Sequence, residues 1–470
     1  MAQAAQSAET RKERTFTHMN NNLGVYIHIP FCEHKCDYCN YIVCEDKDDL
    51  MPAYQSAVIK HMGMYSKYLH GYDIDTVHFS GGTPSYYGVI RLIELLGELK
   101  KSAQLAADAE VTVEVNPGDL SLDDLKALRR AGFNRLSIGA VSTDDYILKS
   151  IGRTHSYANV EETVKLARQA GFDNLSIALL YGLPSQDMDT WSTSINKVLA
   201  LEPEHITCSA FKLEEGTPLY KSKDTLICPD DAACRAMYLY AVKRNEQCGY
   251  KQYALSDFAK RGYEARHTLK YLLSDEYIVF GGAGGSSYIN QIRFSYYESV
   301  VEYIDRVCAG KEIIEQFEKI SCWESAVEYL LLRLRTVCGI SERYGELFGV
   351  NTGHMYKKFC EFESNGWMLK VNGRWRFTPS GFSYFFFLLQ ELIVADTIDN
   401  PEEHKALNEL LNRRDTGDNS SCCENSESDV IDAIFSRDRC CTPDEINYSL
   451  ISEMQSAEEN DMQNDCRIMQ

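Results

Sequence analysis

Nowhere does this chain of 470 residues carry eighteen apolar residues in succession, so no segment reads as a membrane span. The stretch from Met1 to Asn20 is polar and charged and lacks the apolar core of a secretory signal. Glu9 and Glu13 also speak against a mitochondrial presequence. With no export signal, 17 cysteines read as reduced thiols rather than a disulfide framework, and the expected location is cytoplasmic. Positive charge is short as well: 48 Lys and Arg face 69 Asp and Glu, a net charge of −21. The deficit is uneven, because Asp396 to Gln470 holds 19 acidic and 6 basic residues and so −13 of the total. The remainder is mildly acidic and has no basic stripe, which argues against a nucleic-acid partner.

What the chain does have is an α/β pattern. At 44% hydrophobic it can bury the cores of two domains. Short apolar strands are predicted over 24–29, 76–79, 111–115, 135–139, 174–178 and 205–210, with helical stretches between them. Strands that alternate with helices lie parallel, and six such units predict a partial (β/α)6 TIM-like barrel with its site at the strand C-termini. The barrel is expected over 23–290 after a flexible N-terminus (1–22), followed by a connecting segment (291–321). A winged-helix-like domain (322–396) is predicted from three helices and a hairpin across Asn372-Gly373. The acidic segment 397–470 reads as largely disordered, with Cys422-Cys423 and Cys440-Cys441 pairs that read as thiols without a role.

Three cysteines carry the sharpest signal. Cys32, Cys36 and Cys39 are spaced C-x3-C-x2-C in one short loop. Zinc sites prefer C-x2-C pairs with a second pair downstream, and none follows at the right distance. A [4Fe-4S] cluster normally takes four thiolates. Three therefore leave one iron open, and an open position marks a reactive centre rather than a structural one. Cys44 lies near, at a spacing that suits no ligand pattern.

Further polar groups recur at the ends of the predicted strands. Gly81, Gly82 and Thr83 lie in Ser-Gly-Gly-Thr-Pro-Ser after the second strand, where glycines admit a ligand close to the backbone. Glu114 closes the third strand, and Arg153 follows the fourth in Ile-Gly-Arg-Thr-His; its planar fork suits a carboxylate. Each is weak alone, and their recurrence strand after strand is the signal.

The ordered series resembles a known family. Tyr26-Ile-His-Ile-Pro-Phe-Cys32 leads into the cysteine loop, then come Gly-Gly-Thr-Pro-Ser, Glu114-x-Asn-Pro, Gly132-x-x-Arg-x-Ser-x-Gly, Tyr181-Gly-Leu-Pro and Tyr253-x-x-Ser-x-Phe-Ala-Lys. Over roughly Leu23 to Phe387 this is similar to the radical SAM family of oxygen-independent coproporphyrinogen III oxidases and their HemW-like relatives. The resemblance implies a [4Fe-4S] cluster on Cys32, Cys36 and Cys39, with S-adenosylmethionine (SAM) at the open iron. Reductive cleavage of SAM to a 5′-deoxyadenosyl radical is the implied chemistry. It assigns Tyr26, Tyr38, Gly81, Gly82, Thr83, Glu114 and Arg153 to the SAM site. A tetrapyrrole would be substrate or cargo, and an electron donor such as flavodoxin or ferredoxin would supply the reductant.

Departures from the family pattern narrow the branch. The oxidases place another cysteine two residues after the third ligand, where this chain has Tyr41; an aromatic there looks like the HemW branch, regarded as haem chaperones. That branch's haem-linked motif matches His267-Thr-Leu-Lys-Tyr271, which makes His267 a candidate for haem. Val141 and Ala178 stand where the family has Gln and Asp, and each removes a polar partner for SAM. The main expectation is an oxidase-type radical SAM enzyme of tetrapyrrole metabolism. The alternatives are a HemW-like haem chaperone without turnover, or an enzyme acting on another tetrapyrrole, as in haem degradation.

Overall fold

Successive residues of a strand point to opposite faces, so a period-two pattern decides what each face of a sheet meets. In the computed structural model, which describes residues 21–405 together with 431, 434 and 435, one face of the strands is apolar. Val25, Ile27 and Ile29, then Val77 and Phe79, then Val111, Val113 and Val115 are buried and join the apolar faces of the covering helices in one core. The other face carries Tyr26 and His28, Thr76 and His78, Glu110, Thr112 and Glu114, Arg135 and Ser137, and so lines a polar lumen.

Among the described residues the main sheet has twelve strands. In chain order they are β1 (Asn22–Ile29), β2 (Asp73–Gly81), β3 (Gln104–Val115), β4 (Arg135–Val141), β5 (Leu175–Tyr181), β6 (His205–Ala210), β7 (Lys251–Gln252), β8 (Asp257–Ala259), β9 (Tyr277–Phe280), β10 (Ser286–Ile289), β11 (Ile292–Tyr296) and β12 (Ile314–Lys319). Their spatial order is β12-β11-β10-β9-β1-β2-β3-β4-β5-β6-β8-β7. From β9 to β6 all neighbours are parallel, as crossover helices require. The helices that bear on the site are α1 (Met51–Leu69), α2 (Val89–Ser102), α3 (Leu122–Ala131), α4 (Tyr157–Gln169), α5 (Met188–Ala200), α6 (Asp231–Gln247) and α7 (Arg266–Leu273). Ser121 and Asp124 start α3 with a capping box, and Gly132, at φ +112°, ends it in the left-handed conformation that glycine adopts without strain.

The α/β barrel architecture is the one expected, with two differences. A seventh parallel strand, β9, pairs with β1 late in the chain, because α7 brings the apolar run Tyr277-Ile-Val-Phe back beside the first strand. The segment 291–321, expected as a connector, instead continues the sheet: β11 pairs with β10 and β12, and the helix Val300–Ala309 packs on α1.

The C-terminal module contains α8 (Cys322–Arg333), the short helix Tyr344–Phe348, α9 (Gly353–Ser364) and α10 (Phe385–Asp399). Its hairpin pairs Met368–Val371 with Arg374–Phe377 across Asn372 and Gly373, both at positive φ as a two-residue turn of this kind demands. Ile340–Ser341 adds a third strand against Arg374–Phe377. Asp399, at the end of α10, caps the start of α9 by accepting the backbone N–H groups of His354 and Met355. The expectations for residues 1–20, most of 406–470 and the paired cysteines of that segment lie outside the described residues.

Candidate functional site

The cysteine loop is closed at its base by two short strands. Phe31–Cys32 runs parallel to Cys44–Glu45, with Phe31 opposite Cys44 and Cys32 opposite Glu45. Inside this hoop the Cys39 N–H donates to the Cys36 carbonyl at 3.0 Å, and the Asp37 N–H donates to the Ile151 carbonyl at 3.2 Å. Gly152 makes that second staple fit, because a Cβ there would lie 2.9 Å from Asp37. Gly82 does the same beneath Cys32. A Cβ on Gly82 would meet the Phe31 carbonyl at 2.7 Å and the Cys32 Sγ at 3.0 Å, so glycine alone lets the turn after β2 tuck under the thiol.

These elements enclose a cavity of about 360 Å3 at the C-terminal ends of the strands. Cys32, Cys36, Cys39, Tyr38, Gly81, Gly82, Thr83, Glu114 and Arg153 all line it, as do Tyr41, Val141 and Ala178. Tyr26 does not; its ring lies deeper in the lumen, stacked on His78 at 6.0 Å. Cys44 also lies outside the lining, so the cavity presents three thiols.

At Cys32 and Cys39 the surroundings favour the protonated thiol. Burial pushes Cys32 up to about 11, against the opposing pull of the Thr83 hydroxyl, which donates to its Sγ at 3.3 Å. Cys39 is raised by burial too. Cations or metal must therefore displace protons here, as thiolate ligation always requires. Arg153 supplies one fixed positive charge: Nη1 lies 3.6 Å from the Cys36 Sγ, and Nη2 donates to Asn116 Oδ1 at 3.0 Å and the Gly139 carbonyl at 2.7 Å. Its Nε is buried without a partner, a donor left over in the wall. Opposite it stands Glu114. Burial works to raise this carboxyl, but the His78 ring at 3.2 Å and the Ser80 hydroxyl outweigh it and hold the group below its ordinary value.

The two departures from the family pattern lie in this wall as well. Val141 has φ +63°, a left-handed conformation that a β-branched residue adopts only under strain. Ala178 offers a methyl group between this cavity and the lumen below.

His267 lies elsewhere. It is buried at the lower end of the lumen on α7, with Nδ1 2.8 Å from Thr76 Oγ1 and Nε2 2.8 Å from the Tyr271 hydroxyl. Both ring nitrogens are occupied, and burial lowers its pKa well below the ordinary value. As an axial ligand for haem it would need a free nitrogen and an approach, and it has neither. Its role here is to lock α7 onto β2. Sequence reasoning also missed Asn116, His78 and the polar lumen itself. The signal was present: a strand buried on both faces should read as a continuous apolar run, and these strands alternate with polar residues.

Among the described residues no three metal-binding side chains are gathered tightly enough to hold a single ion. Ligands of one ion at about 2.3 Å crowd together, whereas a cluster spreads its thiolates over separate irons. The three thiols around one cavity, the glycine cradle and the unpartnered Arg153 Nε fit a cluster with a bound anionic or zwitterionic ligand.

Residues 26–198 match the radical SAM superfamily. Over 334 residues the chain is 33% identical to the haem chaperone HemW of Bacillus subtilis, spanning 69% of this chain and 87% of that protein. The chain belongs to the radical SAM superfamily, in its HemN/HemW-like branch. It is also 28% identical over 334 residues to the mitochondrial radical S-adenosyl methionine domain-containing protein 1 of Bos taurus, spanning 69% of this chain and 76% of that one. The structure of the coproporphyrinogen III oxidase HemN of Escherichia coli shares the fold, with a TM-score of 0.69 over 81% of this chain and 90% of that one at 19% identity. Radical SAM membership implies a [4Fe-4S] cluster and SAM. No described helix is long and apolar enough to cross a membrane.

Proposed function

We propose that this radical SAM protein is a HemW-like haem-binding chaperone, with its cluster on Cys32, Cys36 and Cys39 and SAM beside it. The observation that carries the site is the convergence of three thiols, Glu114 and Arg153 on one cavity. What supports the chaperone reading over oxidase turnover is the relation to HemW across most of that protein's length, together with Tyr41 in place of a fourth cysteine.

When bound and reduced, cluster and SAM supply one-electron chemistry at a carbon–hydrogen bond. The chain's own residues do the rest. Arg153 suits the carboxylate of SAM, since it lines the cavity with its charge and keeps one donor, Nε, unused. Glu114, kept ionised by His78, accepts from an amine or a ribose hydroxyl. Gly81, Gly82 and Thr83 admit the ligand against the backbone, and Tyr38 packs beside the thiols. Haem is cargo, and its iron is held by a group other than His267. A flavodoxin- or ferredoxin-type donor would supply the electron.

The test is anaerobic reconstitution followed by two measurements. Haemin titration should saturate at one site, and His267→Ala should bind haemin as tightly as wild type while unfolding more readily. With dithionite and SAM, little 5′-deoxyadenosine should form without a partner. Brisk multiple turnover on coproporphyrinogen III would replace the chaperone reading with the oxidase one.

A further inference from the structure

Apolar residues lie on two sides of α10, and among the described residues only one side is buried. Phe385, Leu388, Leu389, Leu392 and Ala395 form the buried face, at the i, i+3, i+4, i+7 and i+10 spacing of a helix. That face packs on α9 and joins the core. A surface helix ordinarily turns polar residues outward on its other side. Here the other side carries Phe386, Phe387, Ile393, Val394 and Ile398, which are 68, 57, 38, 52 and 55% exposed. They keep helical spacing and run as one stripe along the helix, with Gln390 and Thr397 between them. Single exposed apolar residues need no explanation, but a continuous stripe of five marks an interaction surface.

The stripe is uncharged. α10 contains no Lys or Arg, and its three carboxylates are engaged elsewhere. Glu391 pairs with Lys358 at 2.9 Å, Asp396 pairs with His404 at 2.8 Å, and Asp399 caps α9. A helix that lies on a membrane surface carries Lys and Arg on its polar face, which this one lacks. What matches an uncharged apolar stripe is another of the same kind, and the pattern fits itself. With two copies antiparallel about the midpoint of the stripe, the bulky Phe386-Phe387 end of each meets the slimmer Thr397-Ile398 end of the other. Ile393 and Val394 then meet across the two-fold axis. Self-repulsion is small at this face, because residues 322–399 hold 9 acidic and 8 basic residues, a balance of −1 against −21 for the chain.

We propose that α10 is a self-association surface, along which two copies of this chain pair antiparallel. The five side chains present on the order of 500 Å2 per copy, where a whole aromatic side chain buries about 150–250 Å2. Two stripes together remove ~1,000 Å2 from water, the threshold for a specific interface, so the pairing is weak, with a Kd of roughly micromolar order. None of the stripe lines the thiol cavity, and the pairing depends on neither cluster, SAM nor haem.

The experiment is sedimentation velocity of the full chain without metal, at concentrations from about 1 to 100 µM. Wild type should pass from monomer to dimer across that range. Val394→Glu sets two like charges beside the two-fold axis and should weaken the dimer by about a hundredfold, and Val394→Lys should do the same. Mixed one to one, the two variants should dimerise again, because opposite charges then meet at the axis. Ile90→Glu, at an exposed apolar position on α2, should leave the dimer unchanged. Should a Val394 variant not fold, Phe386→Ser with Phe387→Ser takes its place and must abolish the dimer. A wild type that stays monomeric at the highest concentration overturns the proposal, whether its stripe is covered by its own chain or it floats with phosphatidylcholine vesicles. A dimer that survives Val394→Glu, or a mixture of the two variants that stays monomeric, overturns it as well.

Discussion

Around Cys36 and Arg153 the upper end of the lumen keeps groups without a full set of partners, whereas around His267 and Lys270 the lower end ties most of its own together. Above are three free thiols, a guanidinium with an unused donor and a valine at positive φ. Below, Lys270 and Asp75 form an ion pair at 2.9 Å with both side chains almost wholly buried, and His267 has each nitrogen occupied. Groups left open are available to a ligand, and groups paired in a low-dielectric interior hold elements together. The upper end therefore gathers the thiols and the guanidinium that suit a cluster and its ligand, while on the α7 flank of the lower end the ion pair and His267 fasten that helix across the barrel.

The largest effect should come from Cys36→Ala. Iron and sulfide content after anaerobic reconstitution should fall to near background, while the apo protein melts close to wild type, since Cys36 is half-buried and its side chain meets Arg153 and Tyr38 in the cavity wall rather than the apolar core. Full iron content would remove Cys36 from the ligand set and break the comparison at its upper end. The lower end should respond in reverse. Lys270→Met leaves the Asp75 carboxylate buried without its partner, and losing one member of such a pair costs about 3–5 kcal/mol in urea unfolding. Iron loading should be unaffected. Lys270→Met with Asp75→Leu should recover much of the loss, because a buried pair replaced as a whole is often neutral.

Sequence and structure diverge along the same line. The thiol loop, the Gly81-Gly82 turn, Glu114 and Arg153 were legible because each is local: a spacing, a glycine pair, a strand end. His267 was misread because its environment is assembled from distant segments, Thr76 on β2 and Glu110 within β3, which no spacing around His267 reveals. The seventh parallel strand was missed for a related reason, since β9 pairs with β1 across most of the barrel's sequence. The polar lumen was legible in principle from alternation within each strand, but a parallel barrel raises the contrary expectation of apolar runs.

Acid should separate the two ends again. Burial, with help from His78 and Lys270, holds His267 well below 6.5 in the folded state, while Glu114 is held below the ordinary carboxyl value. As pH falls below 6.5 the unfolded chain binds a proton at His267 that the folded chain refuses, so stability is lost with falling pH. The slope is about 1.4 kcal/mol per unit for this group. Glu114 stays ionised in both states down to about pH 5 and contributes no slope there. Stability measured between pH 5 and 6.5 should therefore flatten by that amount in His267→Gln and be unchanged in slope in Glu114→Gln. Equal slopes for wild type and His267→Gln would show that the lower end does not exclude the proton.

The smallest effect concerns backbone strain. Val113 and Val141 are both buried strand valines, at 0% and 7% exposure, but Val113 has ordinary strand geometry and Val141 has φ +63°. Replacing either by glycine removes similar apolar burial and adds similar chain entropy to the unfolded state. Only at Val141 does glycine also release a left-handed conformation, which costs a residue with a Cβ about 1–2 kcal/mol. Val141→Gly should thus destabilise by about 1–2 kcal/mol less than Val113→Gly in paired denaturant titrations. Equal costs would mean that the wall of the cofactor cavity is relaxed, and the contrast between a strained upper end and a settled lower one would rest on the thiols and Arg153 alone.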